Sequence, residues 1–136
     1  MIDHISIAVT DLERAARFYE ALLGTLGFER LARRRARLGF GKCYPEFWIN
    51  ERPSPGRGSV PDGAHVALRA ASVAQVRAFH AAALAAGGSC DGPPGRREAT
   101  HPGYYAAFIR DPDGNRIEAV TFLADAEGLQ KGEPAG

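Results

Sequence analysis

Two histidines occupy equivalent positions in an internal repeat of the sequence. A shift of 61 positions places His4 on His65, and the match continues to Phe18 on Phe79. Imidazole is the commonest metal ligand in proteins and also titrates near neutral pH. A single histidine on a strand is more often a hydrogen-bonded core residue. A repeated pair favours a metal site, because core packing alone would place apolar residues there.

The strands around these histidines alternate apolar residues with polar or small ones, which is typical of half-buried strands. The apolar members are Ile5, Ile7 and Val9 in the first copy and Val66, Leu68 and Ala70 in the second. Because the helices need this apolar face, His4 and His65 should point to the opposite face. The same alternation in a late strand, 116–122, places Glu118 on the side of the histidines.

Two imidazoles and one carboxylate are sufficient first ligands for a divalent metal with open positions. A two-histidine, one-carboxylate set is typical of non-haem Fe(II), and a further oxygen or nitrogen ligand suits Zn, Ni, Co or Mn. Burying Glu118 without a cation would be unfavourable, which also favours a metal. The pseudo-two-fold relation between the repeats predicts that His4, His65 and Glu118 meet in one cleft.

Each repeat predicts one strand, one helix and further strands. Asp11 and Ser72 precede the two helices as N-cap residues. The segments predicted as later strands are Phe28–Leu31, Ala36–Phe40, Phe47–Asn50, Tyr104–Arg110 and Arg116–Phe122, with a weaker one near Ser89–Asp91. We predict one domain over 1–123. It comprises module one at 1–50, a Pro- and Gly-rich linker at 51–63 and module two at 64–123, followed by a flexible tail at 124–136.

Composition excludes several classes of function. The chain has 136 residues and a formal net charge of +1, so it has no strong bias toward nucleic acid or anionic membranes. Neither a signal peptide nor a membrane span is evident. Cys43 and Cys90 lack metal-binding or disulfide spacing, so we expect reduced thiols and a cytoplasmic location.

Three segments together resemble the vicinal oxygen chelate superfamily of glyoxalase I, extradiol dioxygenases and bleomycin-resistance proteins. They are IDHISIAVTDLERAARFYEALLGTLGF at the start, AHVALRAASVAQVRAFHAAALAAGG in the middle and YYAAFIRDPDGNRIEAV near the end. The resemblance covers most of residues 1–122. It implies an α+β fold of two tandem βαβββ modules that form an open eight-stranded barrel-like cleft with the helices outside.

The resemblance also implies a site. His4, His65 and Glu118 match three metal-ligand positions, and the fourth lies on the strand Phe47–Asn50, where Trp48 stands and Glu46 is the nearby carboxylate. Without that carboxylate the set departs from glyoxalase I and is closer to extradiol dioxygenases. Members of the family often form homodimers, so the barrel closes either within one chain or between two.

Further candidates surround this set. His101 precedes a strand and is a candidate general acid or base, with a surface histidine as the alternative. Trp48, Tyr104 and Tyr105 are candidate substrate-binding residues, although only one of the two tyrosines should face the cleft. Arg33–Arg37 and Arg96-Arg97 are candidates for holding an anion, with a solvated turn as the more common role of such runs.

The sequence therefore predicts a metal-dependent enzyme for a small oxygenated substrate, either a glyoxalase-like lyase or isomerase or an extradiol-type dioxygenase. The catalytic candidates are Glu118 and His101, and the cofactor is a divalent ion among Zn, Ni, Mn, Co and Fe(II). The alternative is a non-catalytic protein that binds small molecules or drugs, like the bleomycin-resistance members.

Overall fold

The computed structural model describes residues 1–52, 60 and 63–124. The first repeat contains β1 (Ile5–Val9), α1 (Leu12–Gly24), β2 (Glu29–Arg34), β3 (Arg37–Gly41) and β4 (Phe47–Glu51). The second contains β5 (Val66–Arg69), α2 (Val73–Ala85), β6 (Ser89–Arg96), β7 (Tyr104–Arg110) and β8 (Arg116–Phe122). The predicted α+β class and tandem βαβββ modules are confirmed. Most of the predicted linker and tail lies outside the described residues, and the domain bounds stay predictions.

Both helices begin at the predicted caps. The Asp11 carboxylate accepts a hydrogen bond from the Arg14 amide, and the Ser72 hydroxyl accepts one from the Gln75 amide, each at 3.1 Å. Each cap satisfies an amide that the helix leaves free and stabilises it by about 1 kcal/mol. Each helix therefore starts shortly after a strand that is itself preceded by one of the two histidines. Among the described residues, neither helix is long and apolar enough to span a membrane.

Each module forms its own four-stranded sheet, and the two sheets have the same order, β1-β4-β3-β2 and β5-β8-β7-β6. The first strand of each module is an edge strand that runs parallel to the last strand of the same module. The remaining pairs are antiparallel. The eight predicted strands are thus divided between two sheets that do not close into one barrel within the chain.

β6 extends further than the sequence suggested. The weak strand expected near Ser89–Asp91 continues to Arg96, through Pro93 and Pro94. Its pairing with β7 shifts register twice, between Cys90 and Gly92 and between Gly92 and Gly95. Proline is tolerated here because β6 lies at the edge of its sheet, where one side of the strand has no partner to receive its amides.

One hydrophobic core serves both modules. It includes Phe18 and Leu22 of α1, Val76 and Phe79 of α2, and the inward residues of both sheets, such as Ile109. The helices contact each other within this core. We use the term cleft face for the side of each sheet opposite its helix. Because the helix sides share the core, the two cleft faces are directed away from it.

Candidate functional site

The cleft face of the second sheet centres on Glu118. This glutamate lies on β8, between β5 and β7, and is only 2% exposed. Its Oε1 lies 3.0 Å from Nε2 of His65, and its Oε2 accepts a hydrogen bond from the Tyr104 hydroxyl. Both carboxylate oxygens therefore have partners, so the buried charge is compensated by hydrogen bonds.

Sheet register explains why His65 meets Glu118. Ala67 pairs directly with Glu118 across the parallel β5–β8 ladder, and His65 precedes Ala67 by two residues on the same face. The His65 side chain is 46% exposed, so its ring is accessible from solvent while Glu118 beneath it is not.

The spacing of these two side chains fits a metal. Two donor atoms bound at about 2.1 Å and at right angles to each other lie about 3.0 Å apart. The distance between His65 Nε2 and Glu118 Oε1 is 3.0 Å. An imidazole nitrogen and a carboxylate oxygen are also suitable donors for Zn²⁺, Mn²⁺ or Fe²⁺. The pair therefore has the chemistry and the separation of two adjacent ligands, and the same 3.0 Å is the length of the hydrogen bond that joins them without a metal.

Tyr104 supports Glu118 as a neutral hydrogen-bond donor. Burial, together with the hydrogen bond to Glu118 and its negative charge, raises the pKa of Tyr104 to about 12. The phenol is therefore protonated throughout the neutral range and orients the carboxylate rather than acting as a base. Hydrogen bonds of this kind fix the direction in which a ligand oxygen presents its lone pairs.

His4 has a support of its own, which the sequence analysis missed. Its Nδ1 lies 2.7 Å from Oδ1 of Asp3, whose Oδ2 accepts a hydrogen bond of 2.7 Å from the Tyr44 hydroxyl. Both hydrogen bonds, that with His4 first, lower the pKa of Asp3. A carboxylate on Nδ1 favours the tautomer whose Nε2 lone pair is free to bind a metal. The signal in the sequence was an aspartate beside the histidine.

The single chain joins only two of the three predicted ligands. Within residues 1–52, 60 and 63–124, no group of three or more histidine, cysteine, aspartate or glutamate side chains could hold a metal ion. A groove of about 370 Å³ is lined by His4, Glu46 and His65, but Glu118 does not line it. The structure therefore joins His65 with Glu118 and places His4 in the same groove as His65, and a metal site formed by all three stays a prediction.

Trp48 lies on the cleft face of the first sheet. It pairs with Ser6 of β1 and with Gly39 of β3. The guanidinium groups of Arg37 and Arg34 lie 5.0 and 5.8 Å from the centre of its ring. The indole is half-buried under these two cations, so its face is not simply open to a ligand.

The two neighbouring tyrosines separate as the alternation requires. Tyr105 pairs with Thr121 on the helix side, is 8% exposed, and accepts a hydrogen bond of 3.2 Å from Nε of Arg77. It belongs to the core and does not line the cleft face. Tyr104 is the one of the pair that contacts the site.

His101 lies at the rim of the Glu118 cluster. Its Nδ1 is 2.8 Å from the carbonyl oxygen of Pro102. Its ring meets the edge of Phe122 at 5.6 Å between centroids, and Phe122 in turn meets Tyr104 at 5.4 Å. The carbonyl fixes one ring nitrogen as a donor, which leaves Nε2 available for proton transfer.

Two arginines lie on the cleft face: Arg69, which the sequence analysis missed, and Arg97, which belongs to the Arg96-Arg97 pair already considered as an anion-binding run. Arg69 follows His65 by four residues on the same face, and its guanidinium carbon lies 4.8 Å over the ring of Phe122. Arg97 lies similarly over Phe108, at 5.4 Å. The phase of β5 could have identified Arg69, but the contact of Arg97 depends on the irregular pairing of β6.

The fold and the site together define a class of paired-module proteins. Its members repeat the βαβββ module, with a histidine at the start of each copy and a buried glutamate on the last strand of the second. The chain belongs to the Glyoxalase/Bleomycin resistance protein/Dioxygenase superfamily, whose family model matches residues 1–119. No curated protein matches the chain.

Solved structures agree with this family. A glyoxalase/bleomycin resistance protein from Albidiferax ferrireducens T118 is 37% identical, with a TM-score of 0.75 over 88% of this chain and 97% of that one. A glyoxalase-related enzyme from Fulvimarina pelagi is 20% identical, with a TM-score of 0.68 over 88% and 86%. TioX from Micromonospora sp. ML1 is 18% identical, with a TM-score of 0.64 over 90% and 99%. The last two similarities concern the fold alone.

Proposed function

We propose that the protein is a metal-dependent enzyme of the vicinal oxygen chelate type that acts on a small oxygenated substrate. The observation that carries this proposal is the His65–Glu118 pair, with a donor spacing of 3.0 Å and a carboxylate only 2% exposed. A purely structural role for the pair is less suitable, because well-packed apolar residues would stabilise the same position at least as well.

The proposal includes a homodimer in which a second copy of the chain completes the site. His65 and Glu118 supply two ligands, whereas divalent metal sites use three or more protein ligands. His4 is the third in the repeat pattern, and the hydrogen bond that its Nδ1 donates to Asp3 leaves its Nε2 free for a metal. We assign the missing ligand to His4 of a second copy, whose β1 lies beside β5 of the first. Glu46, beside His4 in the groove, is the candidate fourth ligand.

The edges of the two sheets suit such an arrangement. β1 and β5 are edge strands whose apolar residues, such as Ile7 and Leu68, remain only partly buried in the single chain. Ile2, just before β1, is 77% exposed. Exposed edges of this kind invite pairing with another chain. The two exposed thiols, Cys43 and Cys90, are free and suit the reducing cytoplasm that is part of the proposal.

The chemistry divides among the residues of the cleft. A bound divalent ion would chelate vicinal oxygens of the substrate and stabilise negative charge that develops on them. Tyr104 keeps Glu118 oriented, and the buried carboxylate keeps its charge away from bulk water. His101, with Nε2 free at the rim, is the candidate that removes or returns a substrate proton. This assignment suits isomerase or lyase chemistry.

Extradiol-type dioxygenation is the second chemistry that the ligand set allows. A two-histidine, one-carboxylate triad is the arrangement of non-haem Fe(II) oxygenases. Metal identity distinguishes the two chemistries. Iron in the purified protein together with oxygen uptake on a catechol supports dioxygenation, and Zn, Ni, Mn or Co without oxygen uptake supports the lyase or isomerase.

Metal content of the untagged protein tests the proposal. We expect about one divalent ion per chain in the wild type, and its loss in Glu118→Gln and in His4→Ala. His80→Gln, which changes a histidine on α2, is the matched control and should retain the metal. Circular dichroism confirms that each variant is folded. A folded wild type that contains no metal and cannot be reconstituted with Zn, Ni, Mn, Co or Fe(II) would refute the enzyme proposal and favour the metal-free binding protein.

Mixing the two variants that should each lose the metal tests whether the site is shared between two chains. In a heterodimer of His4→Ala with Glu118→Gln, one of the two sites contains only wild-type residues. After subunit exchange in an equal mixture, about one quarter of the wild-type metal content should return. A mixture that binds no metal, although light scattering shows exchanged dimers, would mean that each site closes within one chain.

A further inference from the structure

We propose that the cleft face beside Glu118 contains an oxyanion-binding subsite formed by Arg69 and Arg97, so that the substrate carries a carboxylate or a chemically equivalent oxyanion. The inference rests on the proposed function in one respect, because it names the substrate class for the same site. The evidence for the subsite itself is the set of contacts that Arg69 and Arg97 make.

Arg69, which forms no ion pair with the residues that the structure describes, places a positive charge beside the Tyr104–Glu118 pair. It pairs with Val120 across the β5–β8 ladder, two residues along β8 from Glu118. Its guanidinium carbon lies 4.8 Å over Phe122, whose ring also contacts Tyr104. A guanidinium that lies over an aromatic ring can still present a fork of N–H donors along its edge. That fork of donors matches the two oxygens of a carboxylate.

Arg97 occupies a space that the glycines of β6 keep open. Its guanidinium carbon lies 5.4 Å over Phe108, the residue that pairs directly with Glu118 on β7. A Cβ atom at Gly92 would lie 2.9 Å from the Phe108 ring and 3.3 Å from Nη2 of Arg97, and one at Gly95 would lie 3.0 Å from Nη1. A side chain at Gly92 would meet the Phe108 ring, and one at Gly95 would require the Arg97 guanidinium to move.

Carbonyl oxygens rather than carboxylates hold Arg97 in place. Its Nη2 donates to the Pro93 carbonyl at 2.6 Å, and its Nη1 donates to the Arg96 carbonyl at 3.3 Å. These contacts position the side chain without neutralising it. Glu118 is thereby flanked on its own sheet by two arginine–aromatic pairs.

Three exposed or half-buried arginines of the second module differ from Arg69 and Arg97 in this respect. Arg96 is paired with Glu98, and Arg110 and Arg116 are both paired with Asp91. Among the described ion pairs, none includes Arg69 or Arg97. The whole chain has a formal net charge of only +1, so two arginines without a described ion pair make this face locally positive.

The first sheet repeats the arrangement on its own cleft face. Arg34 and Arg37 lie over Trp48, and neither takes part in an ion pair among the described residues. If a second copy places this face opposite Glu118, as proposed above, both walls of the cleft carry arginine stacked on an aromatic ring. Cationic drugs are therefore unsuitable ligands, and a small anion with a planar apolar part is suitable.

Binding of three matched probes tests the subsite. Phenylglyoxylate combines a ring, vicinal oxygens and a carboxylate; phenylglyoxylamide replaces the charge with a neutral amide; phenylphosphonate offers a different oxyanion. Affinity is measured by calorimetry on the protein as purified, and the metal content is measured on the same sample. We expect phenylglyoxylate to bind at least about tenfold more tightly than the amide, with an affinity that falls as salt increases.

Substitutions of single arginines test which residues supply the positive charge that binds the anion. Arg69→Gln and Arg97→Gln should each weaken phenylglyoxylate about tenfold or more while leaving the affinity for the amide unchanged. The matched control is Arg77→Gln, because Arg77 also lies over a ring, that of Tyr105 at 5.9 Å, but on the helix side. It should change affinity less than twofold.

The outcomes separate this inference from the proposed function. Tight phenylphosphonate with weak phenylglyoxylate would assign the subsite to phosphate-type oxyanions, and the reverse would assign it to carboxylates. Equal affinity for acid and amide, no effect of Arg69→Gln, or no binding of either anion below about 10 mM would overturn the inference. If the anion subsite fails in one of these ways while the protein still binds metal, the enzyme proposal stands. If the protein binds the anions but no metal, the enzyme proposal is refuted and the anion subsite stands.

Discussion

The hydroxyl of Tyr19 donates a hydrogen bond of 2.6 Å to Oδ2 of Asp111, and this bond joins the helix of module one to the last turn of module two. Both residues are almost fully buried, at 0% and 4% exposure. Nδ2 of Asn115, in the same turn, donates a hydrogen bond of 2.8 Å to Oδ2 of Asp111 and one of 2.9 Å to the carbonyl oxygen of Ala8 in β1. The DPDGN segment, predicted only as a turn, is therefore also a bridge between the modules.

We predict that Tyr19→Phe destabilises the protein by about 1–3 kcal/mol, because it removes a donor from a buried carboxylate. Burial raises the pKa of Asp111, and the Tyr19 hydrogen bond opposes that shift. Without the hydroxyl, the folded-state pKa of Asp111 rises further. The loss of stability should therefore be largest at neutral pH and should shrink as the pH falls through that pKa.

Urea unfolding at several pH values measures this effect. Tyr44→Phe is the control, since the Tyr44 hydroxyl binds the exposed Asp3 and its removal should leave the free energy of unfolding unchanged. Equal stability of Tyr19→Phe and wild type at neutral pH would contradict a stabilising bridge.

Gly88 marks a second contact between the modules. A Cβ atom there would lie 2.6 Å from the carbonyl oxygen of Arg110 and 2.8 Å from the ring of Phe18 in α1. We predict that Gly88→Ala destabilises the protein by about 1–3 kcal/mol through overpacking.

Gly24→Ala is the matched control for that substitution, because nothing lies within 4 Å of a Cβ at Gly24. It ends α1, and alanine there should stabilise by about 0.4–1 kcal/mol. Thermal unfolding of both variants checks the pair of predictions. A Gly88→Ala protein as stable as Gly24→Ala would show that the close approach is easily relieved.

Local patterns were sufficient to predict most of the fold. The shift of 61 positions identified the repeat, and strand alternation placed Glu118 on the cleft face and predicted that only one of Tyr104 and Tyr105 lies there. The caps at Asp11 and Ser72 depend on residues three positions apart, so they too could be read from sequence. These features depend on strand and helix periodicity, which is a local property of the chain.

Relations between modules could not be predicted in the same way. Strand phase assigns His4 and Glu118 to cleft faces, but the separation of those faces depends on how α1 packs against α2 and on the Tyr19–Asp111 bridge. Likewise, the cations over Trp48 follow from side-chain packing across β3 and β4. Such long-range contacts leave no periodic signal in the sequence.

Tyr104→Phe tests the role of the phenol beside Glu118. Removing the donor leaves the carboxylate free to turn, so we predict a loss of divalent-metal affinity of about 10–100-fold. The variant should also lack the tyrosine whose pKa is about 12 in an alkaline absorbance titration. Competition with a chromophoric chelator measures the affinity for Zn²⁺.

Tyr105→Phe is the control for that experiment, because Tyr105 lies on the helix side and its hydroxyl binds Arg77. It should retain the wild-type metal affinity. If both variants bind Zn²⁺ as tightly as wild type, the hydrogen bond from Tyr104 does not orient a metal ligand.

His80 provides a test of pH-dependent stability outside the site. Its Nε2 is buried and finds no hydrogen-bond partner among the described residues, and burial lowers its pKa. The folded state therefore resists protonation of His80 more than the unfolded state does. The stability of the wild type is unaffected by His80 protonation above the ordinary histidine pKa of about 6.5, and it falls as the pH drops toward the lowered folded-state pKa.

We predict that His80→Leu stabilises the protein by about 1 kcal/mol at pH 8, because an unsatisfied polar atom is removed, and by more at pH 5. Urea unfolding at the two pH values measures the difference. Ala81→Leu, at the neighbouring exposed position of α2, controls for leucine in the helix and should keep the pH dependence of wild type. A stability difference between His80→Leu and wild type that is the same at pH 8 and pH 5 would show that His80 titrates alike in both states.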